Sequence, residues 1–208
     1  MIAAGCSSTQ SYFLDPEYAS EKTKASVGIL LIEKKFFPDV YSHTFGSLRT
    51  TEVQTFRQFL ESHFSTAAET ETWLVPGEAV AGRGDFRSRL FRVDADSFHV
   101  MVPENRQALA FPNRTPRFLL ILDQFHYRRT LESSSESNYA GHEGSELQLL
   151  VFETRYLYWD VVQERVIGYG TARGQKNLVS EDPAVSEYSE VLSEAVTQIA
   201  RWGPIITP

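Results

Sequence analysis

Two long strand-forming runs constrain this chain more than any other feature. Residues 117–132 (RFLLILDQFHYRRTLE) and 146–160 (ELQLLVFETRYLYWD) are rich in leucine, β-branched and aromatic residues, apolar at first and then alternating. The stretch between them, SSSESNYAGHEGS, is polar and reads as a hairpin connection. After a turn at Val162–Arg165, RVIGYGTARGQ pairs back and completes a β-meander. A sheet of this length needs cover for its apolar face, and the chain must find that cover elsewhere in itself.

Two segments have the spacing to supply it. Across 47–67, Leu48, Val53, Phe56, Phe59, Leu60, Phe64 and Ala67 recur at helical intervals, with Thr50 or Thr51 placed to cap the start. Near the end, Val185, Tyr188, Val191, Leu192, Ala195, Ile199 and Trp202 line one side of a second helix, which Gly203-Pro204 stops. Ahead of the first helix, SVGILLIEKK reads as a buried central strand ended by Pro38. After it, ETWLVP reads as a short strand closed by Pro76, and strand, helix, strand in that order suggests a parallel crossover.

The insertion at about 77–116 carries a short helix around Phe86–Val93, a strand at Phe98–Val102 and the turn NRTP. The expected fold is α+β. It is a two-layer sandwich, a mostly antiparallel mixed sheet with two amphipathic helices packed on one face, in a single domain over 26–208.

Composition removes several functions. The 208 residues carry a net charge of −7, which repels phosphate backbones and argues against nucleic acid as a partner. The single cysteine excludes an internal disulfide and any cysteine-built zinc cage. No run approaches the roughly 20 apolar residues that span a bilayer.

That cysteine sits in the opening MIAAGCSST, where Ala3-Ala4-Gly5-Cys6 resembles the lipobox of bacterial lipoproteins and Ser7-Ser8-Thr9 the small polar tail that follows it. The chain departs from that pattern with Ala3 where leucine is usual, and without a charged leader or most of an apolar one; Met1 inside a signal accounts for the missing leader. The resemblance implies acylation of Cys6, membrane attachment through it, and, with Ser7 next, the periplasmic face of the outer membrane. On this reading 1–25 is a truncated lipoprotein signal, the lipid-attachment cysteine and a tether (7–25) that includes Tyr12, Phe13 and Tyr18.

A second resemblance lies in LLVFETRYLYWDVVQERVIGYGTARG, a long strand ending in Tyr158, Trp159 and Asp160, a tight turn, and a returning strand. The curli-assembly lipoprotein family and the amino-terminal domain of TolB are similar in order and pattern over about 27–72 and 117–202. The chain departs at the turn, where glycine is usual and Gln163-Glu164 stands, and in the insertion. The resemblance implies a compact α/β fold and a binding or assembly role at the envelope, with no enzymatic residues to transfer.

Candidate chemistry is sparse. Of His43, His63, His99, His126 and His142, none has metal-ligand spacing with another histidine or with cysteine. Asp123 and His126 lie three apart on one strand and are expected on opposite faces. No G-x-S-x-G elbow, phosphate loop or H-E-x-x-H helix occurs. Gly168-Tyr169-Gly170 reads as a bend or bulge in the sheet, and Arg83-Gly84-Asp85 as a loop.

The aromatic strand offers Arg155, Tyr156, Tyr158 and Trp159 as a possible partner surface, the competing reading being a sheet covered on both faces. Arg83, Arg87, Arg89 and Arg92 form a basic cluster suited to lipid phosphate or an acidic protein, or a solvated helix face. The expected function is therefore a non-enzymatic envelope lipoprotein supporting assembly or transport through protein contacts, with no cofactor or metal. Two alternatives are a small-molecule or lipid-binding module with its pocket between the helices and the insertion, and a hydrolase built on His126 or His99.

Overall fold

The computed structural model describes residues 11–33, 50–80, 86–104, 109, 111, 113–133, 146–178 and 183–208. Strands β1 (Tyr12–Leu14), β2 (Val27–Leu31), β3 (Thr72–Val75), β6 (Phe118–Ser133), β7 (Glu146–Asp160) and β8 (Arg165–Asn177) form one sheet in the order β1-β8-β7-β6-β2-β3. β4 (Phe86–Val93) and β5 (Asp96–Pro103) form a separate two-stranded sheet. The helices are α1 (Pro16–Ser20), α2 (Thr50–Ala68), α3 (Gly77–Val80) and α4 (Val185–Arg201). The architecture is an α+β sandwich on a mixed sheet: β2 runs parallel to both β3 and β6, with α2 as the crossover, and the meander β6-β7-β8 continues antiparallel into β1.

Every residue of β2 is buried, as a central strand covered on both faces must be. On one face α2 and α4 pack Phe56, Leu60, Phe64, Leu192, Val196 and Ile199 against Ile29, Leu120, Phe152, Tyr156 and Tyr158. On the other, the β4–β5 hairpin lays Phe98, Val100 and Val102 over Leu30, Ile121, Leu157 and Trp159. Leu48 of the expected apolar stripe lies outside the described residues, and Val185 is exposed at the start of α4.

Two expectations change. Phe86–Val93, expected as a helix, is strand β4, joined to β5 by a two-residue turn at Asp94-Ala95 with Asp94 in the left-handed region (φ 48°). Its apolar residues fall at intervals that also fit a helix, and pairing with β5 decides between the two. The tether expected over 7–25 is folded from Ser11 onward. β1 pairs with β8, Tyr12 stacks on Trp202 with centroids 4.9 Å apart, and Tyr18 is buried. The Asp15 side chain accepts from Glu17 N at 3.0 Å, capping α1 with Pro16 at its first position. Thr23 bridges to Ile205, so this segment and the end of the chain close one corner together.

Helix α4 also covers backbone groups that β1, being short, leaves open on β8. Gln198 accepts from Arg173 N at 3.2 Å and donates to Arg173 O at 2.8 Å, and Glu194 accepts from Gln175 N at 2.8 Å. Gly174 permits this approach: a Cβ there would stand 1.8 Å from the Val191 carbonyl oxygen.

Candidate functional site

Strand β6 contains one residue too many. Asp123 pairs with Arg155, but the next pair is His126 with Glu153, so Gln124 and Phe125 together oppose Thr154. Gln124 takes the left-handed conformation (φ 51°) that makes the bulge possible. The extra residue reverses the facing of everything after it. Phe125 and Tyr127 enter the core under the helices, and His126 turns to the opposite face, where Asp123 also lies with its partner Arg155. The expectation that Asp123 and His126 point apart is corrected by the bulge.

The bulge is tied to the hairpin. Asp123 is 2% exposed; its Oδ2 accepts from Met101 N at 3.0 Å, and Gln124 Nε2 donates to His99 O at 3.2 Å. Asp123 Oδ1 is buried without a hydrogen-bond partner among the described residues. Burial pushes the Asp123 carboxyl up to about 6, against the backbone donors Met101 and Gln124 and the charge of Arg155.

Beside the bulge the sheet face opens into a groove of about 510 Å³, lined by Gln124, His126, Glu153, Arg155, Thr171 and Arg173. Glu153 lies among cations: Arg128 donates to it at 2.8 and 3.3 Å, His126 Nε2 stands 3.6 Å away and Arg173 Nε 3.6 Å. Burial works against its charge, but the hydrogen bonds of Arg128 and the charges of Arg128, His126 and Arg173 hold its carboxyl below the ordinary value. His126 Nδ1 donates to the Gln124 carbonyl at 3.2 Å, which leaves Nε2 toward the groove. The Arg155 guanidinium donates to Gln124 Oε1 and lies 5.7 Å from the Phe98 ring. No carboxylate forms an ion pair with Arg155 among the described residues.

Of the four residues expected as a partner surface, only Arg155 borders this groove. Tyr156 and Tyr158 are fully buried against the helices and Trp159 lies beneath the hairpin, so the aromatic surface is corrected to two halves of the core. Both faces are covered there because the insertion folds back as β4–β5. Among the described residues the sheet separates the two long helices from the β4–β5 hairpin, and helix α2 meets the insertion only where Arg57 faces Gly77 and Glu78.

Of the basic cluster, Arg87, Arg89 and Arg92 lie on β4, where Arg87 pairs with Glu104 at 2.9 Å. Arg83, the Arg83-Gly84-Asp85 loop, Cys6, His43 and His142 lie outside the described residues. His63 bridges the two long helices through Ser189 Oγ at 2.8 Å, and burial lowers its basicity. A second depression, of about 590 Å³, opens where the parallel strands β2 and β3 end, beside the Arg57–Glu33 ion pair.

Asp160, which with Tyr158 and Trp159 ends the strand of the sequence resemblance, is a structural hub. Fully buried, its Oδ2 accepts from the Tyr18 hydroxyl at 2.6 Å and from Arg117 at 2.5 Å, and its Oδ1 from Val162 N and Gln163 N, both at 2.8 Å. Burial and the Asp160 hydrogen bond push the Tyr18 phenol up to about 12. The turn then passes through Glu164 at φ 56°, a left-handed residue that is not glycine.

Sequence reasoning missed Gln124, Glu153 and Arg173, and placed Asp123 and His126 on opposite faces. Among the described residues no group of three or more His, Cys, Asp and Glu is arranged to hold a metal ion, and no helix is long and apolar enough to cross a membrane.

No protein-family model matches the chain, and no curated protein does. Among solved structures the chain is similar to that of a PelC dodecamer from Paraburkholderia phytofirmans, with 10% identity over 89% of this chain and 92% of that chain and a TM-score of 0.41. A methionine variant of the same dodecamer in a second crystal form gives 9% identity over 89% of this chain and 94% of that chain, also with a TM-score of 0.41.

Proposed function

We propose that this chain is a lipid-anchored protein of the cell envelope that acts without enzymatic chemistry, through contacts with other proteins in assembly or transport. The observation that carries the reading is Ala3-Ala4-Gly5-Cys6 lying immediately ahead of a folded domain. The Ser11 carbonyl already accepts from Thr171 N at 2.9 Å, and the five residue steps from Cys6 to Ser11 reach at most about 18 Å. An acylated Cys6 would therefore hold the β1 edge close against the outer membrane on its periplasmic side, with each buried CH₂ of the lipid contributing about 0.8 kcal/mol.

Growth with an alkynyl fatty acid tests this directly. The wild-type chain is expected to label and to fractionate with membranes, and Cys6→Ser to lose both properties; an unlabelled full-length protein rejects the anchor. A second reading, a small-molecule or lipid-binding module, is favoured by the groove at the bulge. Its site is then the open side of the sheet, where Gln124 gives up favourable backbone geometry to bring polar side chains together.

A further inference from the structure

We infer that the groove beside the β6 bulge binds a phosphate group, carried either on a small ester or on a lipid headgroup. The inference rests on the ligand-binding reading and names its chemistry. Three observations carry it.

The first is charge. The whole chain is at −7, yet the groove and its rim bring Arg128, Arg155 and Arg173 together with His126 against the carboxylates Glu153 and Asp123. An acidic protein repels anions at large, so a local cationic surplus on a concave surface selects for one.

The second is placement. Arg155 and Thr171 are cross-strand partners, Glu153 and Arg173 are the next pair on that face, and all four side chains stand together there. Glu153 is engaged by Arg128 and stands between His126 and Arg173, so it orients those cations. Arg155 keeps a planar set of N–H donors with only a neutral amide oxygen as its close acceptor among the described residues. Two guanidiniums flanking a hydroxyl match the several oxygens of a phosphate better than the two of a carboxylate.

The third is cost. Gln124 sits in the left-handed region and Asp123 is buried with an oxygen unsatisfied, so backbone and desolvation costs are concentrated at the rim of the groove.

The test uses the full chain carrying Cys6→Ser, so that acylation cannot bring it to vesicles. Calorimetric titration with inorganic phosphate and with glycerol phosphate is run against chloride at matched ionic strength. Flotation is run with phosphatidylcholine vesicles with and without phosphatidic acid. Saturable binding in either arm is expected, weakened at least tenfold by Arg155→Gln and by Arg173→Gln and unchanged by Arg87→Gln on the hairpin. Circular dichroism and thermal unfolding check that each variant is folded.

Binding to the soluble esters alone assigns a small ligand, and phosphatidic-acid-dependent flotation assigns a headgroup. Binding that chloride matches, or that the two groove variants leave intact, overturns the inference. If phosphate fails in both arms while native mass spectrometry finds an uncharged molecule co-purifying, the phosphate class falls and the ligand-binding reading stands. If phosphate fails and nothing co-purifies, both fall.

Discussion

Glu164 shows how much one residue's backbone can cost. At φ 56° its Cβ crowds the carbonyl, a penalty of about 1–2 kcal/mol for a residue other than glycine. Glu164→Gly removes that penalty and loses part of it again to the greater freedom of glycine in the unfolded chain. A net gain of about 0.5–1 kcal/mol is expected in urea unfolding.

Asp123 makes a separate, pH-dependent prediction. Its carboxyl titrates near 3.8 when unfolded and is pushed up to about 6 when folded. Between those values the unfolded chain releases a proton that the folded chain keeps, so this group's contribution to stability falls as pH rises. Asp123→Asn, which cannot ionise, is expected to match wild type near pH 4, to gain on it up to about pH 6, and then to hold a constant lead of about 2–3 kcal/mol. A lead that instead shrinks as pH rises rejects this environment for Asp123.

At the scale of elements, the edge of β8 is managed by side chains rather than by a full-length neighbour. Glu194 and Gln198 reach from α4 to the backbone of Arg173 and Gln175, doing for this stretch what β1 and its flanking residues do for Ile167 and Thr171. Replacing both with alanine leaves these N–H and C=O groups to seek partners. The double variant is expected to self-associate as concentration rises, read by light scattering, with its helix content unchanged.

The same scale explains what could and could not be read in advance. The crossover β2-α2-β3, the meander and α4 were legible because their apolar residues recur at one period over many positions. The bulge was not. Leu119 to Phe125 is apolar on both faces apart from Asp123 and Gln124, so the sequence carries no alternation whose break could betray the extra residue. Strand β4 was misread because Phe86, Leu90 and Val93 satisfy a helical interval and only the partner strand decides. Asp15-Pro16-Glu17 did carry a helix-start signature, but a helix of five residues gives it no periodic stretch to precede.

Across the whole molecule, the first described segment is part of the load the core carries. Tyr12 on Trp202 and Tyr18 against Phe118 and Asp160 join the opening segment to the final helix and to the β7–β8 turn. A chain beginning at Ser26, which would be harmless if the preceding residues were a tether, loses both tyrosines and leaves Asp160 with one fewer donor. At about 1.5–3 kcal/mol for each large side chain buried, it is expected to be less stable by about 3–5 kcal/mol in chemical denaturation. The anchoring proposal gains a geometric corollary: any lipid on Cys6 acts on the folded body over a short reach, so the orientation of the sheet at the bilayer is restricted.

The surplus residue at Gln124 also makes strand length a guarded quantity. Deleting it would swing Phe125 and Tyr127 out to water and drive His126 under the helices, and a one-residue loss anywhere in Phe118–Asp123 would invert the preceding half instead. Compensated pairs, one residue lost and one gained within the same strand, keep both halves in phase. Along β6, then, descendants of this chain are free to exchange side chains but are bound to a reading frame.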